Sequence, residues 1–322
     1  MPKNMLLMLA DREHSSRRKK QVFSSFYRTL MEGERINGKL GGEKMELEQF
    51  REIKDFYRST EAFLMQHEAA AEWMTSSCLA QLEIKASRNN PPFLCCIRKG
   101  GEVIFAAFMN PPRPLFIFGK EEALALLIHK MIEQDWGISK LIAPSNLGRA
   151  FAEIWLRETG STHRVSMGMK LYRLKQITDF TPSLGRMRQA DREDSVLAGR
   201  WLYEMASETR ALMTEREALE DARQKIQDKR IYFWECGQPV SMAAVTRPTP
   251  QGMTVNMVYT PPEHRRKGFA KSCVADLSRK ILQSGKKFCT IYTDETNSSS
   301  NKIYREIGYE EIGGYSELSF NQ

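Results

Sequence analysis

The sequence predicts an α/β (α+β) chain organised as two successive units, on three observations. Short runs rich in β-branched and aromatic residues alternate with longer stretches of helical period. A similar progression of elements occurs twice, on either side of a polar stretch at 175–183. Thr254–Leu282 reads as a strand, then a basic glycine-containing turn, then a helix, and the other elements are organised around it.

Residues 1–44 differ in character from the rest of the chain. They show no strand pattern and end in the flexible run Asn37-Gly38-Lys39-Leu40-Gly41-Gly42. Of the chain's net charge of +8, this arm carries +5 (ten Lys or Arg against five Asp or Glu), which leaves +3 for the other 278 of 322 residues. The basic cluster at Arg17-Arg18-Lys19-Lys20 is either a solvated tail or a contact for nucleic acid or acidic lipid. The small charge of the remainder argues against nucleic acid as the main partner. Gly41–Lys44 can be encoded by a purine-rich stretch just before the Met45 codon, as in a bacterial ribosome-binding site. The expectation is that translation starts naturally at Met45. Mass spectrometry of the native protein tests it: a peptide spanning Lys44 and Met45 would overturn it.

The first unit, 45–176, begins with helices expected at Glu48–Phe63 and Glu68–Glu83. Phe93–Ile97 and Val103–Phe108 form a hairpin around Lys99-Gly100-Gly101, and Leu115–Phe118 is a third strand. Leu124, Leu127, Ile128 and Met131 fall on one face of a helix running from Glu121 to about Gln134. Lys140–Ala143 is a strand, Leu147–Glu158 a helix stopped by Gly160, and strands near Arg164–Arg173 close the unit.

The second unit, 184–322, opens with a short strand at Gly185–Ala190 and a helix begun by Asp191. Thr214 and Glu217 form a capping box for a charged helix to Lys229. Ile231–Cys236 and Pro239–Thr246 pair across Gly237-Gln238, and the strand Thr254–Tyr259 ends at Pro261-Pro262, since proline cannot donate to a ladder. Phe269, Ala270, Cys273, Val274, Leu277 and Ile281 recur at helical spacing after the turn. Phe288–Tyr292 is a strand, a short helix carries Tyr304 to Gly308, and Tyr309–Phe320 supplies the closing strands.

An apolar content of 41% with 27% charged residues is ordinary for a soluble globular protein. No run approaches the roughly 18 apolar residues of a membrane span, and Met5–Ala10 is too short for a signal-peptide core. The six cysteines show no C-x-x-C spacing, and several sit in apolar segments where a thiol behaves as a small hydrophobe. A reducing cytoplasm, without disulfides or zinc, is the expectation.

The turn has the chemistry of an anion site. A helix start leaves backbone N–H groups unpaired, and its positive end favours phosphate. Gly268 permits close approach, while Arg265, Arg266, Lys267 and Lys271 supply charge. The bland alternative is a basic surface turn. The hexapeptide Arg265-x-x-Gly268-x-Ala270 fits Arg/Gln-x-x-Gly-x-Gly/Ala, which arises by chance roughly once in a thousand positions. Its context adds weight: it follows a strand, opens a helix, and precedes a second strand, Asp294, Asn297 and the Tyr304 helix.

Together these segments resemble the GNAT superfamily of acyl-CoA-dependent N-acyltransferases, over about 140 residues from Leu184 to the C-terminus. The first unit is similar to a second, degenerate copy. The resemblance implies the GNAT fold, a mixed central sheet flanked by helices, in two tandem domains. It also implies transfer of an acetyl group from acetyl-CoA to a primary amine by direct attack in a ternary complex, without a metal; a small molecule is the expected acceptor. A non-catalytic acyl-CoA-binding module is the alternative. A third reading, aminoacyl transfer by tandem domains, lacks the long coiled-coil insertion it would need.

By the same resemblance, Arg265–Lys271, with Phe269 and Ala270, would hold the CoA diphosphate. Backbone groups near Val258, Tyr259 and Thr260 would hold the pantetheine arm and stabilise the oxyanion. Asn297 would contact CoA, and Tyr304, seven residues later, would protonate the departing thiolate: a phenol of reference pKa about 10 facing a thiol of about 8.5. Against these stand a helix cap for Asn297 and a packed helix aromatic for Tyr304. The general base stays open among Glu235, Asp294 and Glu295, and the five histidines form no metal-like spacing. The first copy carries Gly119-Lys120-Glu121-Glu122 at the corresponding loop, where two carboxylates satisfy the helix dipole and repel a diphosphate.

Overall fold

The computed structural model describes residues 44–83, 91–209 and 212–321, so the N-terminal arm, apart from Lys44, lies outside the described residues. Twelve strands form one continuous sheet. The first unit contributes β1 (Met45–Phe50), β2 (Phe93–Lys99), β3 (Glu102–Met109), β4 (Leu115–Gly119), β5 (Lys140–Pro144) and β6 (His163–Leu174). The second contributes β7 (Arg186–Gln189), β8 (Ile231–Cys236), β9 (Gln238–Thr246), β10 (Gly252–Tyr259), β11 (Phe288–Asp294) and β12 (Glu310–Phe320). The helices are α1 (Ile53–Gln66), α2 (Glu72–Leu82), α3 (Leu124–Glu133) and α4 (Ser145–Thr159), then α5 (Ser195–Glu208), α6 (Glu215–Gln227), α7 (Phe269–Gln283) and α8 (Ser298–Ile307).

Period-two alternation divides each unit's strands between two helix layers. In the first unit Phe93, Cys95, Ile97, Phe105 and Ala107 pack with α3 and α4, while Leu94, Ala106 and Phe108 pack with α1 and α2. In the second, Tyr232, Trp234 and Ala243 face α7 and α8, and Ile231, Phe233, Met242 and Ala244 face α5 and α6. Five of the six cysteines are buried in these layers and Cys236 is exposed. Thr214 and Glu217 form both bonds of their capping box, and Gly160 ends α4 in the left-handed conformation.

Two expectations are corrected. The helix expected from Glu48 begins only at Ile53, because Met45–Phe50 is an edge strand antiparallel to β2. Met45 and Leu47 pack on the core, and Glu48 pairs with Arg98 at 3.3 Å. The closing strands also do not stay with their own units. The sheet order is β1-β2-β3-β4-β5-β12-β6-β11-β10-β9-β8-β7. β12, the last strand of the second unit, inserts between β5 and β6 of the first, and β6 in turn pairs with β11 of the second. The two units have exchanged their final strands, and the sheet runs through the exchange without a break.

A buried polar lock holds the units on the other side of the strands. Glu72, at the start of α2, is almost fully buried, and its carboxylate accepts from Thr254 Oγ1 of β10 at 2.8 Å and from Thr290 Oγ1 of β11. Arg247 Nε donates to the same carboxylate at 3.2 Å, and its guanidinium lies 4.0 Å from the centroid of the Trp73 ring. Among the described residues, no helix is long and apolar enough to cross a membrane.

Candidate functional site

The parallel strands β10 and β11 pair only over Gly252–Val255 and Phe288–Ile291, although both continue for several residues. A bulge after Asn256 causes the parting. Met257 takes a left-handed φ of 53°, held by its N–H donating to Asn256 Oδ1 at 2.8 Å, and pairing with β9 resumes at Tyr259. Beyond Val255 the edge of β10 that faces β11 therefore has no strand partner among the described residues, and the two strands part before the basic turn.

The turn leaves β10 through Pro261 and a single helical turn at Pro262–His264. Arg266 and Gly268 both take left-handed φ values, 60° and 78°, and α7 starts at Phe269. Among the described residues, the six successive N–H groups of Arg266, Lys267, Gly268, Phe269, Ala270 and Lys271 have no acceptor; the first paired amide is that of Ser272, on Gly268 O. Six successive unpaired donors at the positive end of a fifteen-residue helix have the chemistry of a nest for an anion. The first unit's turn is built differently. Lys120 N–H is tied to Ile104 O at 3.0 Å and Ala123 N–H to Lys120 O at 3.2 Å, while Glu122 pairs with Lys99 at 2.7 Å. Beside it, Trp73 stacks on Phe116 next to Tyr315, where β4 and β5 part.

The expected cations are arranged unevenly. Arg265 points back: its Nε donates to Thr260 O at 2.8 Å, its Nη2 pairs with Glu208 at 2.5 Å, and its guanidinium lies 5.8 Å from the Tyr259 ring centroid. It staples the turn to α5. Lys267 donates to Glu263 O at 3.0 Å, and Lys271 pairs with Glu306 at 3.0 Å beside the Phe180 ring. Arg266 has no side-chain partner among the described residues. Phe269 packs on the core of the second unit and meets His264 edge-on. Charge at this turn thus comes mainly from backbone dipoles and Arg266.

The residues expected along the pantetheine path lie at the opening. Val258 packs against the core of the second unit. Tyr259 turns to the α5 side, where its hydroxyl donates to Glu204 at 3.1 Å; burial and the two glutamates push its pKa up to about 12. Its carbonyl and that of Thr260 already accept from Ser241 and Arg265, so the free edge belongs to the bulge and Val258.

Asn297 caps α8, accepting from Ser300 N–H at 3.0 Å, the capping alternative for this residue. Asn301 is the buried amide: it accepts from Tyr172 OH at 3.0 Å. Tyr304 is 5% exposed and sits among Tyr172, Tyr309 and Ile307. Burial pushes its phenol up to about 12, eased by a hydrogen bond with Ser300. Of the base candidates, Glu235 is held by the Arg188 guanidinium, which also bonds Asp194. Asp294 caps the Thr296 turn, and the Glu295 carboxylate lies over Gly168 of β6, where a Cβ would meet it at 2.5 Å.

Sequence reasoning missed Ser183. Its hydroxyl donates to Lys267 O at 2.8 Å and its N–H to Ser272 Oγ at 2.9 Å, so the stretch read as a linker clamps the turn from outside. Nothing local marks a serine in a polar connector for this role. The Glu72–Arg247 lock was also missed, although a lone glutamate opening an apolar helix was a weak signal.

Residues 236–317 match the family described as FR47-like protein. No curated protein matches the chain in sequence. Among solved structures, the chain is similar to a Drosophila protein at 13% identity and a TM-score of 0.58, covering 85% of this chain and 98% of that one. It is also similar to a GCN5-related N-acetyltransferase from Sphaerobacter thermophilus at 14% identity and a TM-score of 0.53, covering 85% and 94%. Identities this low speak to fold alone.

Proposed function

We propose that the chain, which has the GNAT fold, is a member of the GNAT superfamily and a cytoplasmic N-acetyltransferase moving an acetyl group from acetyl-CoA to a primary amine. The observation that carries this reading is the run of six unpaired N–H groups from Arg266 to Lys271 beside the parted strands β10 and β11. A diphosphate suits such a nest, since each amide gains an anionic acceptor and, among the described residues, the first turn of α7 itself carries no acidic side chain. The free edge of β10 at the bulge would then take the pantetheine arm as an extra strand, with an N–H there facing the thioester oxygen.

Direct attack by a neutral amine needs two proton movements. A phenol pushed up to about 12 remains protonated at neutral pH, so Tyr304 keeps a hydrogen to offer the departing sulfur. Tyr304 would give that proton to the thiolate as it leaves, and the ammonium formed by the attack would reprotonate the phenolate. The base that first strips the amine is left unassigned, because Glu235 and Asp294 are both engaged in structural bonds.

The burial of Tyr304 in an aromatic cluster favours a second reading, an acyl-CoA-binding module without turnover. One experiment separates the two. Acetyl-CoA binding is measured by calorimetry, and free thiol release is followed with amino acids, polyamines and aminoglycosides. Thiol release with any amine supports the enzyme, binding without release supports the module, and no binding at saturating acetyl-CoA defeats both.

A further inference from the structure

At the far end of α7 from the glycine turn, about 20 Å along the helix, lies a cavity of about 330 Å³. That size falls within the range of small-molecule sites. Its walls are apolar: Tyr232 of β8, Val245 of β9, Met253 of β10, and Leu277 and Ile281 of α7. Its rim is net cationic, with Lys229, Arg230 and Lys280 against one carboxylate, Asp228. Arg230 is 3.5 Å from Asp228, but Lys229 and Lys280 have no carboxylate partner among the described residues; the Lys280 ammonium lies 6.0 Å from the Tyr232 ring centroid. Thr246 also lines the cavity, and its Oγ1 is buried with no hydrogen-bond partner among the described residues. Lys229 is brought to the rim by a left-handed φ of 57° just after α6.

We propose that this cavity is a second ligand site, for a small amphiphile with one carboxylate on an apolar tail of about eight carbons. Tyr232, Val245, Met253, Leu277 and Ile281 would take the tail out of water. Lys229 and Lys280 would hold the carboxylate at the mouth, where ammonium groups stay hydrated while their stems cover apolar surface. This site shares no residue with the nest at the start of α7, and so does not depend on the transferase reading.

The test is calorimetric titration of the full chain with octanoate, with octylammonium as the control of equal tail and opposite charge. Octanoate should bind at least tenfold more tightly than octylammonium, and CoA should not displace it. Lys229→Glu/Lys280→Glu should weaken octanoate at least tenfold and reverse the preference. Should charge reversal disturb the helix, Lys229→Ala/Lys280→Ala should still weaken octanoate severalfold at an unchanged melting temperature. The proposal is overturned by no octanoate binding, by equal binding of the two probes, by displacement with CoA, or by lysine variants that bind octanoate like the wild type.

Discussion

Replacing Gly268 with glutamate places a carboxylate where the nest would receive a diphosphate. Two costs are expected, and they are separable. The first is conformational: Gly268 has a φ of 78°, and any Cβ there would stand 2.6 Å from Ser183 Oγ. The left-handed backbone costs about 1–2 kcal/mol, and displacing the Ser183 hydroxyl from Lys267 O forfeits roughly 1 kcal/mol more. Gly268→Ala carries these costs alone and should lower stability by about 2 kcal/mol while leaving acetyl-CoA affinity within about threefold. The second cost is electrostatic. At an effective dielectric of about 20 and a separation of about 6 Å, a carboxylate and one phosphate charge repel by roughly 2.8 kcal/mol, or about a hundredfold in affinity. Salt screening at this exposed turn trims that toward tenfold. Titration of the two variants with acetyl-CoA at low and moderate salt gives the ratio directly. Gly268→Glu should bind about ten- to a hundredfold more weakly than Gly268→Ala, less so as salt rises. Equal affinities for the two variants would refute the phosphate placement.

Three further expectations rest on the same geometry. Tyr304→Phe should lower kcat by about ten- to a thousandfold with acetyl-CoA affinity nearly intact; unchanged turnover would leave the residue as packing only. Burial holds the Glu72 carboxyl above the usual glutamate value, opposed by Arg247 and two threonine hydroxyls. A folded-state pKa above the unfolded one contributes stability that is fully present below about pH 4.3 and is lost as pH rises through the folded value. Glu72→Gln should therefore flatten the pH dependence of urea denaturation, and parallel profiles would sink the idea; Glu72→Ala, which strands Arg247, should cost about 3–5 kcal/mol. Finally, residues 45–183 and 184–322 expressed separately should not form folded monomers but should recombine when co-expressed, because each lacks a strand that the other holds. A folded monomer from either piece, seen by chromatography and circular dichroism, would contradict the exchange.

Much of the fold could be read because it is local. The Thr214–Glu217 capping box, the Gly160 helix stop and the strand–turn–helix at Tyr259–Phe269 are each written in a few adjacent residues, and each appears where expected. β1 escapes a local reading because it is short, with Glu46 and Glu48 on its exposed face, and a charged edge strand followed at once by a helix resembles a longer helix. The exchange of β6 and β12 has no local signature at all: both strands fit either neighbour by composition, and their pairing is decided by contacts far apart in sequence. The site shows the same division. The N–H groups of the turn follow from its glycine and helix start, whereas the engagement of Arg265 with Glu208, and of Ser183 with Lys267, depends on what other segments bring alongside.

The exchanged strand also sets the order of events during synthesis. β5 and β6 leave the ribosome long before β12, yet the gap between them is filled only by that final segment. The growing polypeptide therefore carries two unsatisfied edges until its tail emerges, the condition under which nascent chains most readily stick to one another. A stop codon a dozen codons early would remove not a ragged end but the keystone of the first half. For the same reason, evolution cannot discard the first unit by deletion without stripping the other half of the strand it borrows.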